Sequence, residues 1–421
     1  MMATVWKTIG ELVADGSILA VQDGNHGGSH PKASEYVPEG IAFVMASDFT
    51  DGRLALERCK RLPKERTDRL RIGFAKTGDV LLTHKGTVGE VAIVPQVTDY
   101  VMLTPQVTYY RVNADRLDAR YLALAFRGRD FQNQLDSISA QSTRPYVAIS
   151  TQRHLRVPCP PLKTQRRIAS ILGAYDDLIE VNRRRIAVLE EMARGMFEEW
   201  FVRFRFPGHE AVPILDTQDG PLPEGWTWGA FRDLAREVRQ TVSPDDVPPD
   251  TPYVGLEHMP RRSFTLDQHG QAEDVSSLKS HFQRGDILFG KIRPYFHKVV
   301  WAGFEGVSST DAIVWRPSAG LAAQALATAS SDAFVAYSVQ TSNGTKMPRA
   351  NARVLADYRC ALAPSDISGR FEDTVGPMIE LCATLQAGSR RLAASRDLLL
   401  PRLISGQLSV AEAERELEKA A

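Results

Sequence analysis

The sequence predicts an α+β protein, with two globular domains in tandem repeat alternating with two long helices that need each other as partners. Three observations carry this. From Leu162 to Phe204, residues Ile168, Leu172, Tyr175, Ile179, Asn182, Ile186, Leu189, Ala193, Met196 and Trp200 follow one another at alternating steps of four and three. A 3.5-residue apolar period marks a helix buried along one narrow seam. A second stretch places Phe371, Val375, Met378, Cys382, Leu385, Leu392, Leu399 and Leu403 at helical spacing. The segments ahead of the helices also echo each other: Gly285-Asp286-Ile287-Leu288 stands 207 residues after Gly78-Asp79-Val80-Leu81.

Each element has its reason. The first domain is read as residues 1–157. Trp6 to Leu12 starts a short helix, Gly40 to Met45 reads as a strand, and Gly78–Thr83 with Val88–Val94 forms a hairpin turning at His84 to Thr87. Tyr109-Tyr110 ends another strand, Ala119 to Leu135 reads as one amphipathic helix, and His154 to Val157 is strand-like. Pro158, Pro160 and Pro161 precede the first long helix (158–206), where proline is tolerated. At 1.5 Å per residue that rod is roughly 60 Å long, and an exposed apolar stripe of that length requires a partner helix. Residues 207–225, rich in Pro and Gly, read as a linker. The order then restarts: a second domain (226–361) opens on Trp226 to Leu234, and Ala322 to Val339 echoes the Ala119 helix. The second long helix (362–408) is closed by Pro401 and Gly406, leaving 409–421 as a tail.

Composition narrows the class. With 51 basic and 51 acidic residues among 421, there is no overall basic charge to point to nucleic acid, though local basic faces stay open. The four cysteines (Cys59, Cys159, Cys360, Cys382) form no Cys-x-x-Cys, which suggests neither zinc nor a disulfide framework. No apolar run reaches membrane-spanning length and the start lacks a signal-peptide core, so a cytoplasmic location is expected.

Catalytic patterns are missing from the sequence. It holds no complete Gly-x-x-x-x-Gly-Lys-Ser/Thr phosphate loop (Gly285 to Lys291 matches as far as the lysine, but Ile292 follows it), no nucleophile elbow, no His-Glu-x-x-His metal pair and no Asn-Pro-Pro-aromatic methylation motif. A binding protein is expected, with no metal. What remains is polar loops at matching places in the two copies. Lys291, Arg293 and Tyr295 combine cations with an aromatic ring, Thr83 and Lys85 stand at the comparable position, and Asn25 and His26 lie in a Gly/His-rich loop. Arg144 in the first copy, and Lys346 with Arg349 in the second, stand just ahead of the long helices. Phosphates need Lys, Arg or hydroxyls, and base edges need Arg, Asn, His or Ser/Thr, so these residues are the candidate DNA contacts. A coiled-coil scaffold whose globular domains bind proteins is the competing reading.

At this point the chain resembles the specificity subunits of type I restriction–modification enzymes. Pro160-Pro161-Leu162, Gln165, Ile168, Ile171-Leu172, Asp176-Asp177, Asn182, Met196-Phe197 and Trp200-Phe201 are similar to the family's central conserved region. Asp219 to Trp226, Gly285 to Tyr295 with Ser309-Thr310-Asp311, and Arg396 to Pro401 are similar to the domain junction, one class of recognition domain and the distal conserved region. The resemblance implies two target-recognition domains separated by two long antiparallel coiled-coil helices. Each domain would read half of a split sequence in double-stranded DNA. Ile168, Leu172, Ile179, Asn182, Ile186 and Leu189 would face Leu385, Leu392 and Leu399 along the seam; from its spacing Asn182 reads equally as a register-setting polar seam residue or as a solvent-facing asparagine. Two methyltransferase subunits would dock on the helices and carry the S-adenosylmethionine. Restriction subunits would join with ATP and Mg, leaving this chain without a cofactor or catalytic activity. An orphan DNA binder without a methylase is the remaining alternative.

Overall fold

The Gly-Asp echo has a structural cause. In the computed structural model, which describes residues 5–25, 30–50, 52–139, 145–344 and 346–420, Gly78 and Gly285 both adopt left-handed backbone (φ +86° and +90°). A side chain is disfavoured there, so glycine fits. The following Asp79 accepts the Lys76 amide and a two-pronged contact from Arg111 at 2.9 and 2.7 Å. Asp286 accepts the Gln283 amide and Arg316, at 2.7 Å for both prongs. One turn, used twice, opens the central strand of each domain.

The chain divides into two compact units, one of Met1–Asp177 with Leu392–Ala421 and one of Leu178–Arg391. In the first, strands Ile18–Asp23, Val107–Val112, Val80–Lys85 and Thr87–Ile93 lie side by side in that order, all antiparallel. A second sheet runs Lys60–Leu62, Ile41–Val44, Val101–Leu103, Phe74–Ala75, and its central pair is parallel. Trp6–Thr8 pairs with Arg156–Pro158 beside the helix Ile9–Ala14.

The second unit repeats this plan. Ala235–Val238, Ala312–Pro317, Ile287–Gly290 and Val299–Trp301 form the antiparallel sheet. The other sheet again centres on a parallel pair, Pro252–Val254 with Gly306–Ser309, and Thr227–Ala230 pairs with Arg359–Leu362. The fold is therefore two α+β modules in tandem, as the sequence pattern predicts.

Several elements differ from expectation for identifiable reasons. The single helix expected from Ala119 to Leu135 is two, Ala119–Arg127 and Arg129–Ser139, because Gly128 takes an extended conformation (ψ 143°) between them. The apolar period continues across the break, which is why periodicity alone reads it as one. Tyr109 and Tyr110 sit in the middle of their strand rather than at its end. The Pro/Gly-rich stretch carries a hairpin, Ile214–Thr217 with Gly220–Pro223. Pro401 does not close the second long helix, which runs Ser365–Ser405. Gly406, left-handed at φ +78°, ends it instead. The tail forms a helix, Val410–Ala420, with Ser409 and Glu412 capping each other.

The first long helix is Leu162–Phe197, followed by a π turn Glu198–Val202 that presents Trp200 and Phe201 to Phe371 at ring separations of 5.5 and 4.9 Å. Within the second unit the two long helices run antiparallel. Trp200 meets Phe371, Cys382 reaches the Ile186 carbonyl, and Asn182 Nδ2 donates to Ser389 Oγ at 3.2 Å. Ile186 is buried there, and Asn182, Leu189 and Leu385 are half-buried. Within the first unit, Ile168 and Leu172 are buried in a core that also takes Leu400, Leu403 and Ile404. Half-buried Leu399 packs against that core; Leu392 in this unit and Ile179 in the second are each half-buried.

Candidate nucleic-acid interface

In the second unit the strand Ile287–Gly290 runs out into the loop Lys291 to His297, and the loop around Asn343 to Ala350 lies alongside it. The Lys291 amide donates to the Asp311 carbonyl (2.9 Å), Ala350 donates to the Lys291 carbonyl (2.9 Å) and Arg293 to that of Pro348 (2.8 Å). Ile292 and Arg349 form a bridge pair. Backbone pairing thus brings Lys291, Arg293 and Tyr295 beside Lys346 and Arg349, five of the residues singled out from sequence. Tyr295 is 52% exposed, and Lys346 and Arg349 are exposed. Lys291 Nζ donates to the Thr310 carbonyl and lies 3.7 Å from Asp311. Arg293 is half-buried, and its Nε has no hydrogen-bond partner among the described residues.

The backbone here is strained. Among the described residues, four non-glycine residues have positive φ, and three of them are Arg262 (+56°), Arg293 (+50°) and His297 (+53°). Such conformations cost about 1–2 kcal/mol per residue and concentrate where function demands them. The Arg262 amide donates to the His297 carbonyl at 2.9 Å, and Arg293 and His297 flank the same short turn, Pro294–Phe296. Arg261 lies over the Phe296 ring at 4.0 Å. Burial holds the His297 imidazole below its ordinary value, and the neutral ring's Nε2 lies 2.8 Å from the Ser330 carbonyl. Arg261 and Arg262 were missed from sequence, since adjacent arginines in a loop carry no distinguishing pattern.

The first unit builds the same scaffold. The His84 amide donates to the Gln106 carbonyl (2.9 Å), Val147 to the His84 carbonyl (2.9 Å) and Gly86 to that of Pro145 (3.1 Å), while Lys85 and Tyr146 form the bridge pair. Exposed Lys85 holds its Nζ 5.9 Å from the centre of the Tyr146 ring, and Tyr146 is 47% exposed. Tyr146, which sequence did not select as a contact, occupies the place that Arg349 takes in the second copy. His84 is buried with Nδ1 3.2 Å from the Val147 carbonyl, and burial pulls its pKa down.

Two sequence candidates are not presented at the surface. Thr83 is fully buried, and its Oγ1 accepts the Glu90 amide at 2.9 Å, so the hydroxyl serves the hairpin and a DNA contact does not fit it. Asn25 is buried at 4% exposure; its backbone amide donates to the Leu103 carbonyl, and its side-chain Nδ2 has no partner among the described residues. His26 and Arg144 lie outside the described residues. Among the described residues, no group of three or more His, Cys, Asp or Glu could hold a metal ion. Nor is any helix among them long and apolar enough to cross a membrane.

Residues 36–191 match the family model described as the type I restriction modification DNA specificity domain. The MjaIX type I restriction enzyme specificity subunit of Methanocaldococcus jannaschii is 26% identical, over 97% of this chain and 98% of that protein. The chain is thus similar to a type I restriction enzyme specificity subunit over nearly its whole length. The EcoDI specificity subunit of Escherichia coli is 34% identical over 40% of the chain and 43% of its own length. The solved S subunit of the type I restriction–modification system from M. genitalium superposes with a TM-score of 0.56 at 12% identity, covering 96% of this chain and 97% of that one. That likeness is one of fold. It extends across both modules and both long helices.

Proposed function

We propose that this chain is the DNA-specificity subunit of a type I restriction–modification complex and reads a bipartite duplex target, one half with each module. The observation that carries the reading is the duplicated loop scaffold. In each unit a loop at the end of a central strand is zipped by two backbone hydrogen bonds to a second loop and held by a third to the neighbouring strand's approach, and cationic and aromatic side chains stand at its surface. Phosphate positioning and base reading both call on such residues. The full-length similarity to specificity subunits supports it.

In this reading the chain recognises and does not catalyse. Two methyltransferase subunits dock on the paired helices and supply S-adenosylmethionine, restriction subunits bring ATP and Mg, and the complex works in the cytoplasm. The contact set is Lys291, Arg293, Tyr295, Lys346 and Arg349 in the second module, and Lys85 with Arg144 and His26 in the first. Binding of the assembled methyltransferase complex to duplex DNA, titrated with salt, tests the reading. Affinity should fall steeply and linearly on logarithmic axes as counterions are released. Binding that is absent, or indifferent to salt, contradicts it and favours a protein-binding scaffold.

A further inference from the structure

Glu190 looks in the sequence like one more charge on a long helix, yet only 3% of it is exposed. Its Oε1 accepts three hydrogen bonds from a single loop of the second module: Thr265 Oγ1 at 2.6 Å, Ser263 Oγ at 2.8 Å and the Thr265 amide at 3.0 Å. Its Oε2 takes Arg194 Nη2 at 2.8 Å, and that same nitrogen donates to the Arg262 carbonyl at 2.8 Å. Arg194 also lies over the Phe264 ring at 5.7 Å. One helical turn therefore grips residues 262–265 from both sides.

The gripped loop continues directly into the reading site. The Arg262 amide holds the His297 carbonyl, the Trp301 amide holds that of Phe264, and Arg261 covers Phe296. The strained residues Arg262, Arg293 and His297 lie along this one path. Apolar packing tolerates sliding, whereas a buried, fully satisfied hydrogen-bond network specifies one arrangement.

We propose that Glu190 is a positioning residue for DNA-target spacing: it locks the second reading loop to the first long helix, and so sets how many base pairs may separate the two half-sites. The inference rests on the DNA-specificity reading above. With 10–10.5 base pairs per turn, adding one pair to the spacer rotates the far half-site by about 35° and shifts it by about 3.4 Å. A locked loop rejects that displacement, and a loosened one accommodates it.

The test maps methylated adenines in DNA from cells expressing the chain with its methyltransferase subunits. For the native chain, the map should contain a split motif of one spacer length; if it contains none, the specificity reading itself falls. Glu190→Gln keeps the side-chain shape but sets an amide donor against either Arg194 or the Thr265 and Ser263 donors, whichever way it turns. It should leave both half-motifs unchanged, while sites with the spacer one pair longer or shorter rise about tenfold in share. Thr265→Val, which removes one donor and keeps the bulk, should shift the spacer in the same direction by less. It carries the test if Glu190→Gln does not fold. Spacer selection as narrow as the native chain's in the variants overturns the proposal, whether overall methylation is unchanged or uniformly reduced.

Discussion

Arg293 combines left-handed backbone with a buried guanidinium Nε that has no hydrogen-bond partner among the described residues. The strained backbone does not help the module fold; it holds a half-buried guanidinium at the surface of the loop. Arg293→Ala and Arg293→Gly should weaken binding of the assembled complex to its target alike, by about 1–3 kcal/mol if the residue meets a base edge. They should differ in stability. Glycine relieves the backbone strain that alanine keeps, so the glycine variant should be the more stable by about 1 kcal/mol in denaturant melts. Equal stability would remove strain from the account, and unchanged binding would remove the residue from the contact set. None of this is legible in sequence, because positive φ at a residue other than glycine leaves no trace in composition or period. Thr83 misled for the opposite reason. A hydroxyl beside His84 and Lys85 suggests a polar loop, whereas it lies within a run of buried strand residues from Val80 to His84.

A second residue-scale contrast comes from the repeat. Gln165 is 3% exposed and accepts the Asp118 amide at 3.0 Å, at the start of the helix Ala119–Arg127. Glu372, 207 residues on, accepts the Ala323 amide at 2.9 Å in the first turn of the helix Ala322–Ala329. The job is the same, but burial pushes the Glu372 carboxyl above its ordinary value, an effect only partly offset by the amides it caps. A carboxyl raised on folding makes its ionised form a burden on the native state. That burden is present above the folded pKa and gone below the unfolded value of 4.5. Glu372→Gln, which installs the first module's solution, should therefore stabilise the protein at neutral pH. The gain should vanish as the pH falls below 4.5. A variant less stable at neutral pH contradicts this.

At the scale of elements, what the sequence made legible was what local chemistry demands. The Gly-Asp turns were readable because a left-handed residue calls for glycine and the buried carboxylate beside it serves the turn and an arginine. The long helices were readable because a 3.5-residue apolar period sustained over many turns arises from little except a helix packed along one seam. Boundaries were harder. Gly128 interrupts a period that continues on both sides, and Pro401 sits in the last turn of a helix that packs on through Leu403 and Ile404. Within the seam, Asn182 faces Ser389, whose own hydroxyl already donates to the Leu385 carbonyl at 2.9 Å. Asn182→Leu thus strands no buried partner and should stabilise the protein by about 1 kcal/mol, since a polar seam residue costs stability in return for register. Calorimetry or denaturant melts would check it. A loss of stability would mean that the pair is worth more than the apolar packing replacing it.

At the scale of the whole molecule, the chain carries the same module twice, down to the strand order of the antiparallel sheet, the parallel pair of the other sheet (which gains a fifth strand, Thr241–Val242, in the second copy), the Gly-Asp turn and the three hydrogen bonds that hold each surface loop. What the copies present on that common frame differs: Lys85 and Tyr146 in one, Arg293, Tyr295 and Arg349 in the other. An invariant frame with divergent tips is what two readers of different half-sites require. The most direct measurement maps methylated adenines from cells expressing the complex with either set of tips removed. Lys291→Ala with Arg293→Ala and Arg349→Ala should relax or change one half of the methylated motif and leave the other intact. Lys85→Ala with Tyr146→Ala should do the reverse. Either set leaving both halves intact, or eroding both together, would contradict an account in which each module reads its own half.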